Sequence, residues 1–135
     1  MKNDNCIFCK IINGDIPSRK LYEDDKFIVI LDVGPASKGH ALILPKEHYA
    51  NIYEMPEDLC AEAMKVAKKM AAKMTDALQA DGFNILQNNG EAAGQTVFHF
   101  HMHLIPRYKD AEPLFKYNPL SFEAAEMEAI LEAIA

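Results

Sequence analysis

Three histidines alternate with bulky apolar residues in the segment His99-Phe100-His101-Met102-His103. In an extended strand, the side chains at positions i, i+2 and i+4 lie on one face of the sheet. The pattern therefore predicts a strand over 97–105, ended by Pro106, with three imidazoles on one face. Core packing does not account for three neighbouring imidazoles, which are costly to bury without partners. It does account for the residues of the opposite face, which are Phe98, Phe100, Met102 and Leu104.

The composition indicates a single domain, residues 1–135, because 50% of the residues are hydrophobic and can form a core without disulfides. The formal net charge of −6 and the absence of a Lys/Arg run argue against a nucleic-acid partner. No signal peptide is visible, and the longest apolar run, 27–31, is too short to span a membrane. The small, odd number of cysteines predicts a reduced, cytoplasmic protein: Cys6, Cys9 and Cys60.

The remaining patterns predict an α+β domain with an antiparallel sheet of about five strands. Besides the histidine strand, strands are predicted at 20–22, 27–31, 40–44 and 82–87. The longest helix is predicted over 56–80, with Pro56 as its first residue and Gly82 just beyond its end. Shorter helical segments are predicted at 6–13, at 46–53 and, with Ser121 as N-cap, at 121–134.

The residues alone leave three interpretations of the histidine face open. The first is a sheet face that happens to hold histidines. The second is a catalytic zinc site, although the outer two histidines lie roughly 13 Å apart on a straight strand. In the third, one neutral imidazole attacks phosphorus, another protonates the leaving group and the third fixes the tautomer of the first. The preceding loop has donors for an anion: Asn88, Gln95, Thr96 and the backbone around Gly90 and Gly94.

Several segments resemble the histidine-triad (HIT) family of nucleotide hydrolases and transferases. Residues 94–105 contain the family's His-x-His-x-His signature followed by apolar residues. Further similarity at 7–12, 15–17, 22–24 and 38–48 extends the resemblance over nearly the whole chain. The chain is most similar to bacterial members of the branch that hydrolyses purine nucleoside phosphoramidates. The resemblance implies a HIT-like fold and a purine nucleotide substrate.

The resemblance implies a separate role for each histidine. His101 matches the nucleophile that takes the nucleoside monophosphate, and His103 matches the residue that contacts the phosphate and the leaving group. His99 matches the residue whose backbone carbonyl holds the other nitrogen of the nucleophile. His40 matches a supporting fourth histidine. The chemical step itself requires no metal ion in this interpretation.

The resemblance also implies a nucleotide-binding surface. Asp32 matches the carboxylate that accepts the ribose hydroxyls, and a vicinal diol suits a bidentate acceptor. Its alternative role is a turn residue at a strand end. Positions that contact phosphate or substrate are Asn88, Gln95 and Thr96, where the branch often has serine in place of Thr96. The apolar slot for the base, which could also be ordinary core, matches Ile7, Phe8, Ile11, Ile16 and Ile30.

Cys6 and Cys9 form a C-x-x-C pair without the βαβ context of a redox motif. A zinc site needs two more ligands, and His48 and the ring of His99 are candidates. Some bacterial relatives resemble such a Cys₂His₂ arrangement, which is a closed structural site. The alternative is a pair of reduced, partly buried thiols. Structural zinc is therefore the predicted cofactor.

Three functions follow as hypotheses. The first is hydrolysis of AMP- or GMP-linked phosphoramidates through a nucleotidyl-histidine. The second is hydrolysis of diadenosine polyphosphates, which the motif does not separate from the first because both expel a group from the same phosphorus. The third is a non-catalytic nucleotide-binding module. The resemblance also implies a homodimer, with the helix near 56–80 and the adjoining strand edge in the interface.

Overall fold

Five antiparallel strands form one sheet in the computed structural model, which describes residues 3–135. The strand order is β1-β2-β3-β5-β4. The strands are β1 (Lys20–Glu23), β2 (Phe27–Leu31), β3 (Ala41–Pro45), β4 (Gly82–Gln87) and β5 (Met102–Arg107). The helices are α1 (Ile7–Ile12), α2 (Glu57–Leu78) and α3 (Ala124–Ile134), and a 3₁₀ turn spans Glu91–Ala93. This α+β architecture confirms the predicted fold class.

Helices cover both faces of the central strands. On one face, α2 buries a stripe of residues against the sheet, namely Ala63, Val66, Ala67, Met70 and Met74. On the other face, Phe8 and Cys9 of α1 pack with Ile28, Ile30 and Leu42. Strands covered on both faces read as continuous apolar runs, as in β2 and β3. Among the described residues, no helix has the length and apolar character that a membrane crossing requires.

The histidine strand is shorter than predicted at its N-terminal end. It begins at Met102, where its pairing with both neighbouring strands also begins, and it continues through Pro106 to Arg107. Before Met102 the backbone turns to another partner, because the N–H of Phe100 donates to the carbonyl of Tyr49 at 2.6 Å. The predicted core position of Phe98 is wrong, since its side chain is 50% exposed. The ring centroids of His101 and His103 lie 5.0 Å apart, closer than the roughly 7 Å between alternate residues of a straight strand.

One predicted helix does not form, and the predicted ends of two others are wrong. Segment 46–53 contains turns and bends and no helix. Pro56 is the N-cap of α2, which ends at Leu78. The C-cap Gln79 adopts a left-handed conformation with φ 55°, and Gly82 begins β4. Helix α3 starts after Glu123, whose side chain forms a capping box with Glu126. This reciprocal cap satisfies more backbone N–H groups than a serine further upstream.

Candidate functional site

His101 is held by the backbone of the residue two positions before it. Its Nδ1 lies 2.8 Å from the carbonyl oxygen of His99. A carbonyl only accepts, so Nδ1 carries the proton and, in the neutral ring, Nε2 keeps a free lone pair. The ring is 7% exposed and meets the ring of Phe8 edge to face, with centroids 5.0 Å apart. The arrangement presents one buried, unprotonated nitrogen in a fixed orientation.

A second hydrogen-bonded chain fixes the tautomer of His103. The N–H of Ala36 donates to Nδ1 of His40 at 2.9 Å, so the proton of the neutral His40 ring is on Nε2. This Nε2 lies 2.9 Å from Nδ1 of His103 and 3.5 Å from Oδ2 of Asp32. His103 therefore accepts at Nδ1 and carries its own proton on Nε2. The ring centroids of His101 and His103 are 5.0 Å apart, so a ring with a lone pair on Nε2 neighbours a ring with an Nε2–H.

Asp32, His40 and His103 also have a ligand atom each within 4.8 Å of one another, a spacing that a metal ion can occupy. The hydrogen bonds argue against this use. Nε2 of His40 carries the proton as long as Ala36 donates to Nδ1, and a protonated nitrogen is not a ligand. The hydrogen bonds among the three residues therefore fix which ring nitrogen of His40 and of His103 carries the proton.

Burial lowers the pKa of each histidine in this region. The pKa of His103 falls to about 4, first through desolvation and then through the neighbouring His101 and His40. The pKa of His101 and that of His40 are also below the ordinary value, with desolvation as the main cause. All three rings are therefore neutral near pH 7, which is the state that a nucleophilic imidazole and the hydrogen-bond pattern both require.

The low pKa of His103 predicts a loss of stability in mild acid. The unfolded chain binds this proton near pH 6.5 and the folded chain only near pH 4, so the stabilisation present above 6.5 disappears as the pH falls towards 4. The groups facing the ring are His101, His40 and Asp32. Urea unfolding at about pH 7 and about pH 4.5 gives the free energy of unfolding that each protein loses in acid. We expect His103→Gln to lose about 1–2 kcal/mol less than the parent protein, after allowance for solvent screening. Equal losses in the two proteins would contradict the assignment.

The four residues predicted as metal ligands lie together, between α1 and the segment that precedes β5. Nδ1 of His99 lies 3.4 Å from Sγ of Cys6, 3.5 Å from Sγ of Cys9 and 3.1 Å from Nδ1 of His48. Sγ of Cys9 is 3.3 Å from Nδ1 of His48. All four ligand atoms lie within 4.8 Å of one another. Burial raises the pKa of the Cys9 thiol, a cost that a bound cation would offset.

The donor set of this cluster fits a tetrahedral zinc ion. Zinc–sulfur and zinc–nitrogen bond lengths imply ligand separations of about 3.3 Å between two nitrogens and about 3.6 Å between sulfur and nitrogen. The observed separations are close to these values. Nε2 of His99 donates to the carbonyl of Pro45 at 2.9 Å, so its Nδ1 lone pair points to the cluster. An outer hydrogen bond of this kind is the usual support of a histidine ligand.

Only some of the apolar residues predicted to hold a base lie in one cluster. Phe8, Ile30 and Ile11 belong to one cluster beside the rings of His99 and His101. Ile7 turns outward, with 47% of its side chain exposed, and lines a surface groove with His48 and Thr96. Ile16 is partly buried, outside the residues of this cluster.

The polar side chains of the 88–96 loop differ in how accessible they are to a ligand. Gln95 is 1% exposed, its Oε1 accepts from the N–H of Gly90, and its Nε2 donates to the carbonyls of Ala50 and Val97. The side chain therefore ties the loop to the body of the protein. Thr96 is exposed, and the side chain of Asn88 lies against Gly94, which has a positive φ of 99°. Asn88 and Thr96 are placed to meet a ligand more directly than Gln95.

Two functional candidates were not found from the sequence. Val33 follows Asp32 and has 95% of its side chain exposed, so an apolar side chain stands free beside the carboxylate. The sequence feature that could have indicated Val33 is an apolar residue placed between the end of a strand and the turn at Gly34. Ala36 orders the proton on His40 through its backbone N–H, and no side-chain pattern indicates such a role.

Comparison with known proteins identifies the family of this chain. A sequence model of the HIT domain matches residues 13–110. Adenosine 5'-monophosphoramidase hnt1 of Schizosaccharomyces pombe is 47% identical over 103 residues, which span 76% of this chain and 74% of that protein.

Two solved structures share the fold over almost the whole chain. The crystal structure of SMU.412c from Streptococcus mutans UA159 has a TM-score of 0.93 at 41% identity, covering 98% of this chain and 85% of that one. A Zn-bound histidine triad family protein from Mycobacterium smegmatis has a TM-score of 0.79 at 38% identity, covering 96% and 91% of the two chains. With the HIT domain matched over most of its length, the chain belongs to the HIT domain family.

Proposed function

We propose that this protein is a nucleotide hydrolase that cleaves purine nucleoside phosphoramidates, AMP- or GMP-linked, at the α-phosphorus. The proposal rests mainly on the complementary tautomers of two adjacent rings, a free Nε2 lone pair on His101 and an Nε2–H on His103. An attack on phosphorus uses both, because one nitrogen must form a bond while an N–H group holds the leaving nitrogen as it is protonated. The relative named adenosine 5'-monophosphoramidase supports the same chemistry.

The first step transfers the nucleotide to His101. Its Nε2 lone pair forms a bond to the α-phosphorus while the bond from phosphorus to the amine nitrogen breaks. The Nε2–H of His103 donates a hydrogen bond to the leaving nitrogen, which takes its proton from solvent, so the ring of His103 stays neutral while the ring of His101 gains one positive charge. The carbonyl of His99 stabilises that charge through the Nδ1–H.

The second step releases the nucleoside monophosphate. Water attacks the same phosphorus and releases one proton to solvent, which returns the proton taken up in the first step. The bond between phosphorus and Nε2 of His101 breaks, and its electron pair returns to the ring. We assign the side chains of Asn88 and Thr96 to the phosphate oxygens, with Gln95 holding the loop in place.

Asp32 and the apolar cluster at α1 are the proposed nucleoside site. Oδ1 of Asp32 accepts from the N–H of Gly34 at 2.8 Å, which orients the carboxylate, and we assign it to the ribose hydroxyls. We assign the base to the apolar side chains of Ile7, Phe8, Ile11, Ile16 and Ile30. Phe8 contacts the ring of His101, so a base stacked near it would lie close to the reacting phosphorus.

Zinc at Cys6, Cys9, His48 and His99 completes the proposal as a structural cofactor. When bound, zinc supplies a fixed link between α1 and the segment before β5, and it takes no part in the chemical step. The Zn-bound family member from Mycobacterium smegmatis supports this assignment. The resemblance further leads us to propose a homodimer and a single functional unit over 1–135.

A turnover panel tests the substrate assignment. We expect adenosine and guanosine phosphoramidates to be hydrolysed at least about tenfold faster than diadenosine tetraphosphate, as measured by kcat/KM. Faster cleavage of the dinucleotide would favour the diadenosine polyphosphate hydrolase instead. Tight nucleotide binding without turnover of any of the three would favour the non-catalytic module.

A further inference from the structure

Helix α3 carries an exposed apolar stripe flanked by acidic residues. Met127, Ile130, Leu131 and Ile134 follow the i, i+3, i+4, i+7 spacing of one helix face, and 41% to 81% of each side chain is exposed. Glu126 and Glu128 flank the stripe, one on each side. None of the residues of α3 is buried.

A helix of this length is not expected to persist alone in water. It has 11 residues, and isolated helices shorter than about 12–15 residues are marginal even with good helix formers. The capping box of Glu123 and Glu126 stabilises only the first turn. The apolar stripe therefore indicates that α3 packs against a surface.

A complementary surface lies beside the C-terminal half of α2. An apolar groove of ≈ 390 Å³ is lined by Leu21, Leu31, Met70, Met74, Ala77 and Leu78. Lys73 also lines this groove, and Lys69, one turn earlier, has its amine 5.2 Å from the centre of the Tyr22 ring. The groove thus offers an apolar floor with lysines at its edge, which matches the apolar stripe and the glutamates of α3.

The arm that connects β5 to α3 starts near one end of this groove, where the hydroxyl of Tyr108 donates to the carbonyl of Lys38 beside the groove residue Gly39, and it then runs to β4. Leu114 and Phe115 of the arm line a surface pocket with Asn84 of β4. β4 is one edge of the sheet, whereas Leu21 and Leu31 of the groove belong to β1 and β2 at the other edge. The base of the arm is fixed, because the N–H of Lys109 donates to Oδ2 of Asp81 at 2.8 Å.

We propose that α3 of one copy docks in the α2 groove of a second copy, and that the exchange is reciprocal. Two identical helices and two identical grooves then form a closed twofold assembly. In each groove the stripe of α3 covers the apolar floor, and its glutamates pair with Lys69 and Lys73. The interaction adds an exchanged arm to the dimer that the proposed function assumes, and it does not depend on catalysis.

Zero-length cross-linking of mixed isotopes tests the exchange. The full-length protein with its metal is prepared in unlabelled and ¹⁵N-labelled forms, which are mixed, unfolded and refolded together. A carbodiimide then joins lysine amines to carboxylates in direct contact. We expect peptides that link Lys69 or Lys73 to Glu126, Glu128 or Glu132 with one unlabelled and one labelled partner. The intrachain pair of Lys65 and Glu62, 3.2 Å apart, is the internal standard and must give same-isotope products only.

Two substitutions in the exposed helix provide matched variants. Ile130→Asp places a charge in the stripe and is expected to reduce the mixed-isotope peptides about tenfold or more. Ala129→Asp adds the same charge on the opposite side of α3 and should leave them within about twofold. An exchanged dimer gives mixed-isotope peptides alongside same-isotope ones. Same-isotope α3–α2 peptides without mixed-isotope ones would show docking within one chain and overturn the proposal, as would absence of α3–α2 peptides or equal effects of the two variants.

Discussion

Replacing His101 with asparagine is expected to lower the turnover of adenosine phosphoramidate by about 10⁴-fold or more, since the variant lacks the nucleophilic nitrogen. Asparagine is the informative choice because its side-chain N–H can still donate to the carbonyl of His99, the partner of Nδ1 in the parent protein. Steady-state kinetics with a phosphoramidate that releases a fluorescent amine would measure the loss over this range.

Two controls separate loss of the nucleophile from loss of the fold. The thermal unfolding midpoint of His101→Asn should remain within about 3 °C of the parent value, because the buried contact to His99 is kept. Brief reaction of the parent protein followed by a basic quench should retain an acid-labile nucleotide on His101, located by peptide mass spectrometry. Near-parent turnover in the variant, or a nucleotide attached to His103 instead, would refute the assignment.

Loss of zinc is expected to affect both stability and turnover. The double variant Cys6→Ser/Cys9→Ser removes both thiolates, and we expect the unfolding midpoint to fall by about 10 °C or more. The ring of His99 loses the metal ion that fixes it. Because the carbonyl of the same residue holds Nδ1–H of His101, turnover should fall about tenfold as well. Metal analysis, thermal unfolding and steady-state kinetics on the same samples would measure the three changes.

Cys60→Ser is the matched control for this experiment. Cys60 lies on α2, its Sγ contacts the carbonyl of Met55, and it belongs to neither candidate metal cluster. Its replacement should leave the metal content and turnover unchanged. If the purified parent protein, never exposed to a chelator, holds less than about one-tenth of an equivalent of zinc, the metal assignment is wrong.

The elements with a clear apolar pattern, continuous or periodic, were predictable from the sequence. The two continuous apolar runs became β2 and β3, which are covered on both faces, and the stripe that includes Met70 and Met74 became the buried face of α2. The grouping of Cys6 and Cys9 with His48 and His99 was also anticipated, through family resemblance and ligand chemistry. These features depend on side-chain pattern, which a sequence displays directly.

The features that were missed depend on backbone partners supplied by distant segments. The histidine strand starts at Met102 because Phe100 bonds to Tyr49 instead of to a neighbouring strand. Helix α2 ends on a left-handed Gln79, although a glycine stood nearby to take that conformation. The backbone N–H of Ala36 determines which nitrogen of His40 carries the proton, and every non-proline residue has such an N–H. Local sequence carries no signal for such contacts.

His99 divides its two tasks between different parts of one residue. Its ring faces the thiols, whereas only its backbone carbonyl reaches His101. Any amino acid provides that carbonyl, so the identity of position 99 is constrained by the metal and by the hydrogen bond from Nε2 to the carbonyl of Pro45, and not by the nucleophile. In a variant that lacks both thiols, the ring would keep its hydrogen bond to the carbonyl of Pro45 and its packing on Phe8. Replacing the first imidazole of the triad would therefore remove a metal ligand and a buried contact, but no group that touches the phosphorus.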